Sequence, residues 1–208
     1  MRLSLKTKLS ILYLVGYMAG SLLYHTLAQR NAEPFDPMGA EIEANIKHPP
    51  VSPKHSAAVA KAMHPVVKAL GHAGYQVETV RNGEVVMVTI PCSRLFAPNS
   101  STLLDGAPDV LRALNPYVKE SENFKTILAV HSDDTGDDAY CDRITSERAN
   151  AIDEYFYTRN GQAETGIIPY GLGSDEPLKA NTSIEGRAAN RRVEIYLVPT
   201  ETFIKHAH

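Results

Sequence analysis

Two side chains of opposite charge, Asp133 and Arg148, stand fifteen residues apart in a stretch that could bring them together. Residues 131–149 read HSDDTGDDAYCDRITSERA, a loop dense in aspartate that runs into an amphipathic segment. A carboxylate can receive an ammonium group. A guanidinium can grip a carboxylate through two parallel hydrogen bonds. Held near each other, the two suit a ligand that carries both charges. The bland alternative is an ion pair of the fold, worth about 0–1 kcal/mol when exposed.

The other candidate chemistries in this stretch fail on spacing. Asp133, Asp134, Asp137, Asp138 and Asp142 invite a calcium reading. A calcium loop of the EF-hand type wants glycine at its sixth position and glutamate at its twelfth. Counted from Asp133, those positions hold Asp138 and Ile144. A solvated acidic loop is the better description. His131 has no second histidine close by in sequence, so zinc is not supported, and a hydrogen-bonded histidine at a strand end is expected. No nucleophile elbow or set of metal ligands appears, and no paired carboxylates with supporting context. Neither enzymatic activity nor a cofactor is expected. Cys92 and Cys141 form an even pair without a CxxC motif. They could close a disulfide if their Cα atoms lie within about 7 Å, and two free thiols is the alternative.

The elements that must position these residues follow from periodicity. Residues 126–130 are a short apolar strand ending at the aspartate loop. Residues 144–160 carry Ala149, Ile152, Tyr155 and Phe156 at helical spacing, with Gly161 as a stop. Upstream, Val59, Met63, Val66, Val67 and Leu70 mark a helix over 55–74, which Pro65 should kink or divide. Strands over 75–80 and 84–90 flank Asn82-Gly83, a strong hairpin signal. Leu104, Ala107, Val110, Leu111, Leu114 and Val118 mark another helix, which Pro108 and Pro116 should delay or kink. A strand at 166–170, a long polar loop at 171–186 and a strand at 192–198 complete the order. The last ten residues read as a frayed tail. From residue 84 the sequence is strand, helix, strand, helix, strand, strand. That is an α+β sandwich of βαβαββ order, with helices on one face of a mixed sheet.

The ends add two expectations. Arg2, Lys6 and Lys8 precede an apolar run over 9–27, about 28 Å long as a helix and close to the roughly 30 Å core of a bilayer. Basic residues before the run place the working domain outside the cytoplasm. An uncleaved transmembrane anchor is preferred, and a cleaved signal peptide is the alternative. Residues 29–54 are polar and rich in proline, a tether with a reach of at most about 85 Å. The net charge of −3 over 208 residues offers no basic field for nucleic acid.

Three motifs resemble the OmpA-like peptidoglycan-binding domain. LFAPNSSTL resembles its phenylalanine-containing segment, VHSDDTGDDAYCDRITSERANAI resembles GHTDxxGxxxYNxxLSxxRAxxV, and YGLGSDEPLKANTSIEGRAANRRVEI resembles GxGxxxPxxxNxTxxGRxxNRRVEI. The resemblance covers about residues 85–198, with residues 1–28 as the membrane segment, 29–54 as the tether and 55–84 as a lead-in of helix and first hairpin strand. It implies the same βαβαββ fold and non-covalent binding of the peptidoglycan stem through diaminopimelate, which anchors a membrane or a membrane-associated assembly to the cell wall. It also implies that Asp133 takes the ligand ammonium and Arg148 its carboxylate, while Asn99 and Arg191 line the site. Arg191 and Arg192 should point to opposite sheet faces, so only one meets the ligand. Cys141 replaces the family's pocket asparagine. Ile144-Thr145 replaces Leu-Ser and keeps a hydroxyl. The expected location is the periplasm, with the anchor in the inner membrane, or in association with the outer membrane if the segment is cleaved. A homodimer through the 55–74 helix is an open alternative. A stator-like motor subunit is disfavoured because residues 9–24 hold no ionisable group except tyrosine. A wall-acting enzyme is disfavoured by the missing catalytic groups.

Overall fold

Strand side chains alternate between two sheet faces, and in this protein both faces bury apolar clusters, the second with Arg192 and Glu194 beside it. A computed structural model describes residues 37–161 and 166–207. Strands β1 (Gln76–Val80), β2 (Val85–Pro91), β3 (Phe124–Val130), β4 (Ile167–Gly171) and β5 (Arg192–Pro199) form one sheet in the order β1-β2-β5-β3-β4. Only the β3–β4 pair is parallel, so the sheet is mixed as expected. The turn between β1 and β2 holds Arg81, Asn82 and Gly83 at φ of 50°, 57° and 86°. Asparagine and glycine tolerate that region, whereas arginine is an unusual occupant.

The main core lies on one face. Val86, Val88, Ile90, Leu128, Val130, Val193, Ile195 and Leu197 point into it from three strands. Helix α2 (Pro53–His72) contributes Val59, Met63, Val66 and Leu70. The helix runs through Pro65 as one element, because buried side chains on both sides of the proline hold both halves against the sheet. Those apolar positions therefore serve this chain's own core. The helix expected around residues 104–118 is split into α3 (Ala107–Leu111) and α4 (Asn115–Lys119), with a tight turn between them. Pro108 and Pro116 each sit in the first turn of a piece, where the missing N–H costs nothing. Helix α5 (Asp138–Arg159) covers β3 and β4 through Ile152 and Phe156. It starts six residues before the expected position. The acidic loop is also a helix start: the Asp137 side chain accepts from Tyr140 N at 2.7 Å, and Asp138 suits the positive first turn.

Three expectations are corrected. Residues 37–47, placed within a flexible tether, form helix α1 (Pro37–Lys47). It covers part of the sheet's other face, so the helices do not all lie on one side. Ile42 is buried there with Val85, Ile127, Ala129, Tyr170 and Val198. Lys125 Nζ donates to Asn45 O at 2.6 Å and His48 O at 2.8 Å, and Asn45 Nδ2 donates to Tyr170 OH at 2.9 Å. A single apolar turn among polar residues leaves little periodicity to read. The tail is also ordered: α7 (Glu201–His206) is capped by Thr200, and Phe203 packs 5.1 Å from the Phe124 ring. The polar loop after β4 gives way to α6 (Ile184–Asn190), capped by Ser183. Residues Met38–His208 form one compact unit. The membrane segment at 9–27 and the first part of the tether lie outside the described residues. Among the described residues no helix is long and apolar enough to cross a membrane.

Candidate functional site

The site forms where β3 ends, because the backbone there is fixed from both sides. His131 N donates to Arg192 O at 2.9 Å, and Ser132 N donates to Gly173 O at 2.7 Å. Gly173 N in turn donates to Thr145 Oγ1 at 3.0 Å, which ties this loop to α5. A methyl group on Gly171 would meet Ser146 N at 2.2 Å, so glycine lets α5 rest directly on the end of β4. The Thr145 hydroxyl retained in the Ile144-Thr145 pair is thus a joint between helix and loop.

Asp133 and Arg148 emerge from this joint into one cavity of about 280 Å³, which Asn99, Thr135, Tyr140 and Arg191 also line. Both side chains are almost wholly buried, at 4% and 6% exposed. They do not pair with each other. The Asp133 carboxylate accepts from Thr135 N at 2.9 Å through Oδ1, and Oδ2 takes Arg191 Nη1. Burial alone would raise its pKa, but these hydrogen bonds and the Arg191 charge hold it below the usual carboxylate value. Arg148 donates Nε to Ser100 O at 2.9 Å, and its guanidinium lies 5.1 Å from the centre of the Phe96 ring. No carboxylate among the described residues lies within 4.0 Å of it. Cation–π contact is the kind of support a guanidinium takes when its other edge stays available. With Asp133 matched to Arg191, Arg148 is the uncompensated charge of the cavity.

The remaining expected residues fall as follows. Asn99 lines the cavity at φ 56°, and its Oδ1 accepts from Tyr140 OH at 3.1 Å. Arg191 lines it, while Arg192 turns to the other sheet face and meets Glu194. Cys141 does not line the cavity. It is 1% exposed, and its thiol donates to Asp133 O at 3.5 Å, so it steadies the loop from beneath. The Cys92–Cys141 disulfide is also corrected: both thiols are free. Cys92 Sγ donates to His131 O at 3.9 Å, so the two thiols are engaged with two different carbonyls of the loop after β3. Burial pushes the Cys92 thiol up to about 11, although Arg148 and Arg191 pull it down, so it stays protonated. Among the described residues no cluster of metal ligands forms.

Sequence reasoning missed Phe96, Thr135 and Tyr140. Phe96 and Tyr140 stand inside quoted motifs, but their contacts with Arg148 and Asn99 join residues 52 and 41 positions apart. Thr135 meets the Asp133 carboxylate through both its backbone N–H and its side chain. Arg187 and Asn190, read as fold-supporting, tie α6 to its preceding loop. Asn190 bonds both backbone groups of Lys179, and Arg187 bonds Asn181 O at 2.7 Å.

Comparison with known proteins agrees with this architecture. The profile of the OmpA family matches residues 95–191, which contain Asn99, Asp133, Arg148 and Arg191. An OmpA-like domain occupies this part of the chain. The probable lipoprotein YiaD of Escherichia coli is 29% identical over 126 residues, covering 61% of this chain and 57% of that protein. The peptidoglycan-binding protein ArfA of Mycobacterium tuberculosis is 30% identical over 100 residues, covering 48% of this chain and 30% of that one. The chain thus spans less than two thirds of either relative. Among solved structures, a putative MotB-like protein from Desulfovibrio vulgaris superposes with a TM-score of 0.59 at 25% identity, covering 69% of this chain and 94% of that one.

Proposed function

We propose that the OmpA-like domain binds the stem peptide of peptidoglycan without covalent chemistry, through the free end of diaminopimelate, and so holds its chain to the cell wall. That end is a carbon bearing an ammonium and a carboxylate. The observation that carries the reading is Arg148: a buried guanidinium, unmatched by any carboxylate among the described residues, in the cavity it shares with Asp133. A ligand carboxylate would supply the missing charge through a bidentate contact. Asp133 would take the ammonium, sharing or exchanging its bond with Arg191, whose side chain is 43% exposed and free to move aside. At about 280 Å³ the cavity is at the lower limit of small-molecule sites, which suits one amino-acid end rather than a whole stem. ArfA, similar over 100 residues, carries peptidoglycan binding in its name, which supports the same ligand here. The apolar run at 9–27, read from sequence as a membrane segment, would make the chain a link between membrane and wall, with this domain in the periplasm.

Arg148→Ala tests the reading by peptidoglycan pull-down, with a thermal melt to check the fold. Retention should fall at least about tenfold, as for loss of a charge-assisted bidentate contact. Unchanged retention by a folded variant would overturn the assignment. A stem carrying lysine in place of diaminopimelate should bind more weakly for the same reason, because lysine lacks the carboxylate.

A further inference from the structure

Helix α2 carries a face that the fold does not use. Residues 53–72 include three lysines and no aspartate or glutamate, in a chain whose net charge is −3. Lys54, Lys61 and Lys68 recur at heptad spacing, two turns of helix, so they stand in one row about 21 Å long. All three are exposed, and His64 and His72 are exposed on the same side. Val59, Met63, Val66 and Leu70 are buried on the opposite side, where the helix packs on β1 and β2. Lysines on other elements have partners: Lys47 pairs with Glu43, Lys205 with Glu201, and Lys125 donates to carbonyls at the end of α1. No carboxylate among the described residues lies within 4.0 Å of Lys54, Lys61 or Lys68. A merely solvated helix face mixes both signs, as α5 does with Arg143 and Glu147. A row of one sign is a local field, and it attracts a surface of the opposite sign.

We propose that the Lys54–Lys61–Lys68 face docks on an anionic lipid surface, laying α2 along the phospholipid headgroups of the membrane that holds the chain. The inference rests on the reading of residues 9–27 as a membrane segment. Between that run and α1 stand only residues 28–36, a reach of at most about 32 Å. The folded domain therefore cannot move far from the bilayer, and one of its faces must meet the headgroup region. Each lysine near such a surface strengthens attachment about fivefold. Three of them fixed in one row on a rigid helix act together without a further ordering cost. The other exposed positions among them include Ala57, Pro65 and Ala69, small side chains that do not insert among acyl chains, so the contact is electrostatic and reversible. None of the residues lining the Asp133–Arg148 cavity belongs to α2, so the lipid contact and the wall contact use different residues.

The test places the full chain in vesicles of phosphatidylcholine alone and in vesicles that also contain phosphatidylglycerol, and reads lysine acylation by mass spectrometry. Modification of Lys54, Lys61 and Lys68 should fall at least about tenfold in the anionic vesicles and recover in high salt. Lys179, exposed on the loop after β4 at the opposite edge of the sheet, should react alike in both. A variant carrying Lys54→Gln, Lys61→Gln and Lys68→Gln is followed through His64 and His72 with diethyl pyrocarbonate. Anionic vesicles should shield both histidines in the native chain and leave them open in the variant. Equal acylation of the three lysines in the two kinds of vesicle overturns the proposal, while the membrane segment and the wall site stand. Peptidoglycan should retain the variant as well as the native chain. A parallel loss of retention would make the face a wall contact and overturn the lipid assignment. If the chain enters neither kind of vesicle, the membrane reading of residues 9–27 falls and the proposal with it.

Discussion

Two carboxylates of this domain, Asp133 and Glu194, are both nearly buried and both face an arginine, yet their surroundings differ in kind. Glu194 lies on the sheet face away from the main core. Arg192 Nε and Tyr196 OH each donate to it at 2.6 Å, and His131 Nε2 stands 3.5 Å away. Arg192 is itself 7% exposed and also reaches Glu176 O at 3.2 Å. Burial by itself would raise the Glu194 carboxyl, but the nearby His131 and the hydrogen bonds from Tyr196 and Arg192 hold it at about 2. Asp133 has a fixed partner in Thr135, through backbone N–H and side chain, and a movable donor, the half-exposed Arg191. In the first arrangement both donors to the carboxylate, Arg192 and Tyr196, are fixed on β5 beside it. The second has a partner that can be displaced and a neighbouring arginine without a carboxylate. A closed network serves the fold, and the one with a replaceable partner can receive a ligand.

The contrast breaks most sharply under substitution of Glu194. Glu194→Ala leaves Arg192 buried without its carboxylate, which should cost about 3–5 kcal/mol of stability. Urea unfolding would measure it, and a loss below 1 kcal/mol would show that the network is not closed. Acid should dismantle the same network next. The folded Glu194 value of about 2 lies below its ordinary 4.5. Its contribution of about 3 kcal/mol is therefore complete above pH 4.5 and is lost as pH falls toward 2. Urea midpoints measured across that window should fall, and Glu194→Gln should flatten the slope. The smallest effect on stability is expected at Asp133. Asp133→Asn keeps the shape of the side chain and removes a charge whose partner is half exposed, so stability should change by no more than about 1 kcal/mol. Wall retention should nonetheless drop by about tenfold, as for a lost charge-assisted contact. A variant that lost stability and kept binding would reverse the contrast between the two carboxylates.

The sequence was legible wherever an element is amphipathic or a turn is chemically marked. Val59, Met63, Val66 and Leu70 announced α2, and the Asn82-Gly83 pair announced the first hairpin. It was illegible where an element rests on few apolar contacts. Helix α1 is anchored by Ile42, partly by Ile46, and by hydrogen bonds to Lys125, Tyr170 and Arg81, none of which is near it in sequence. Helix α7 is held by a capping threonine, the Phe203–Phe124 contact and partial burial of Ile204. Pro65 did not divide its helix, whereas Pro108 and Pro116 delayed and split theirs, as expected of them.

For the site, the sequence by itself determined which charges are present and in what order. Asp133, Arg148 and Arg191 stand in motifs whose spacing suffices to nominate them, and the strand period placed Arg191 and Arg192 on opposite faces. Only the tertiary structure decided which charges meet. It matched Asp133 with Arg191, set Arg148 against Phe96 without a carboxylate, and drew Cys141 beneath the loop rather than into the cavity. The physical reason is that charge pairing depends on distances of a few ångströms between segments that the chain order separates by as many as 58 residues. Periodicity fixes the direction of a side chain from its own element. What it meets there depends on how β3, α5 and the end of β5 pack together.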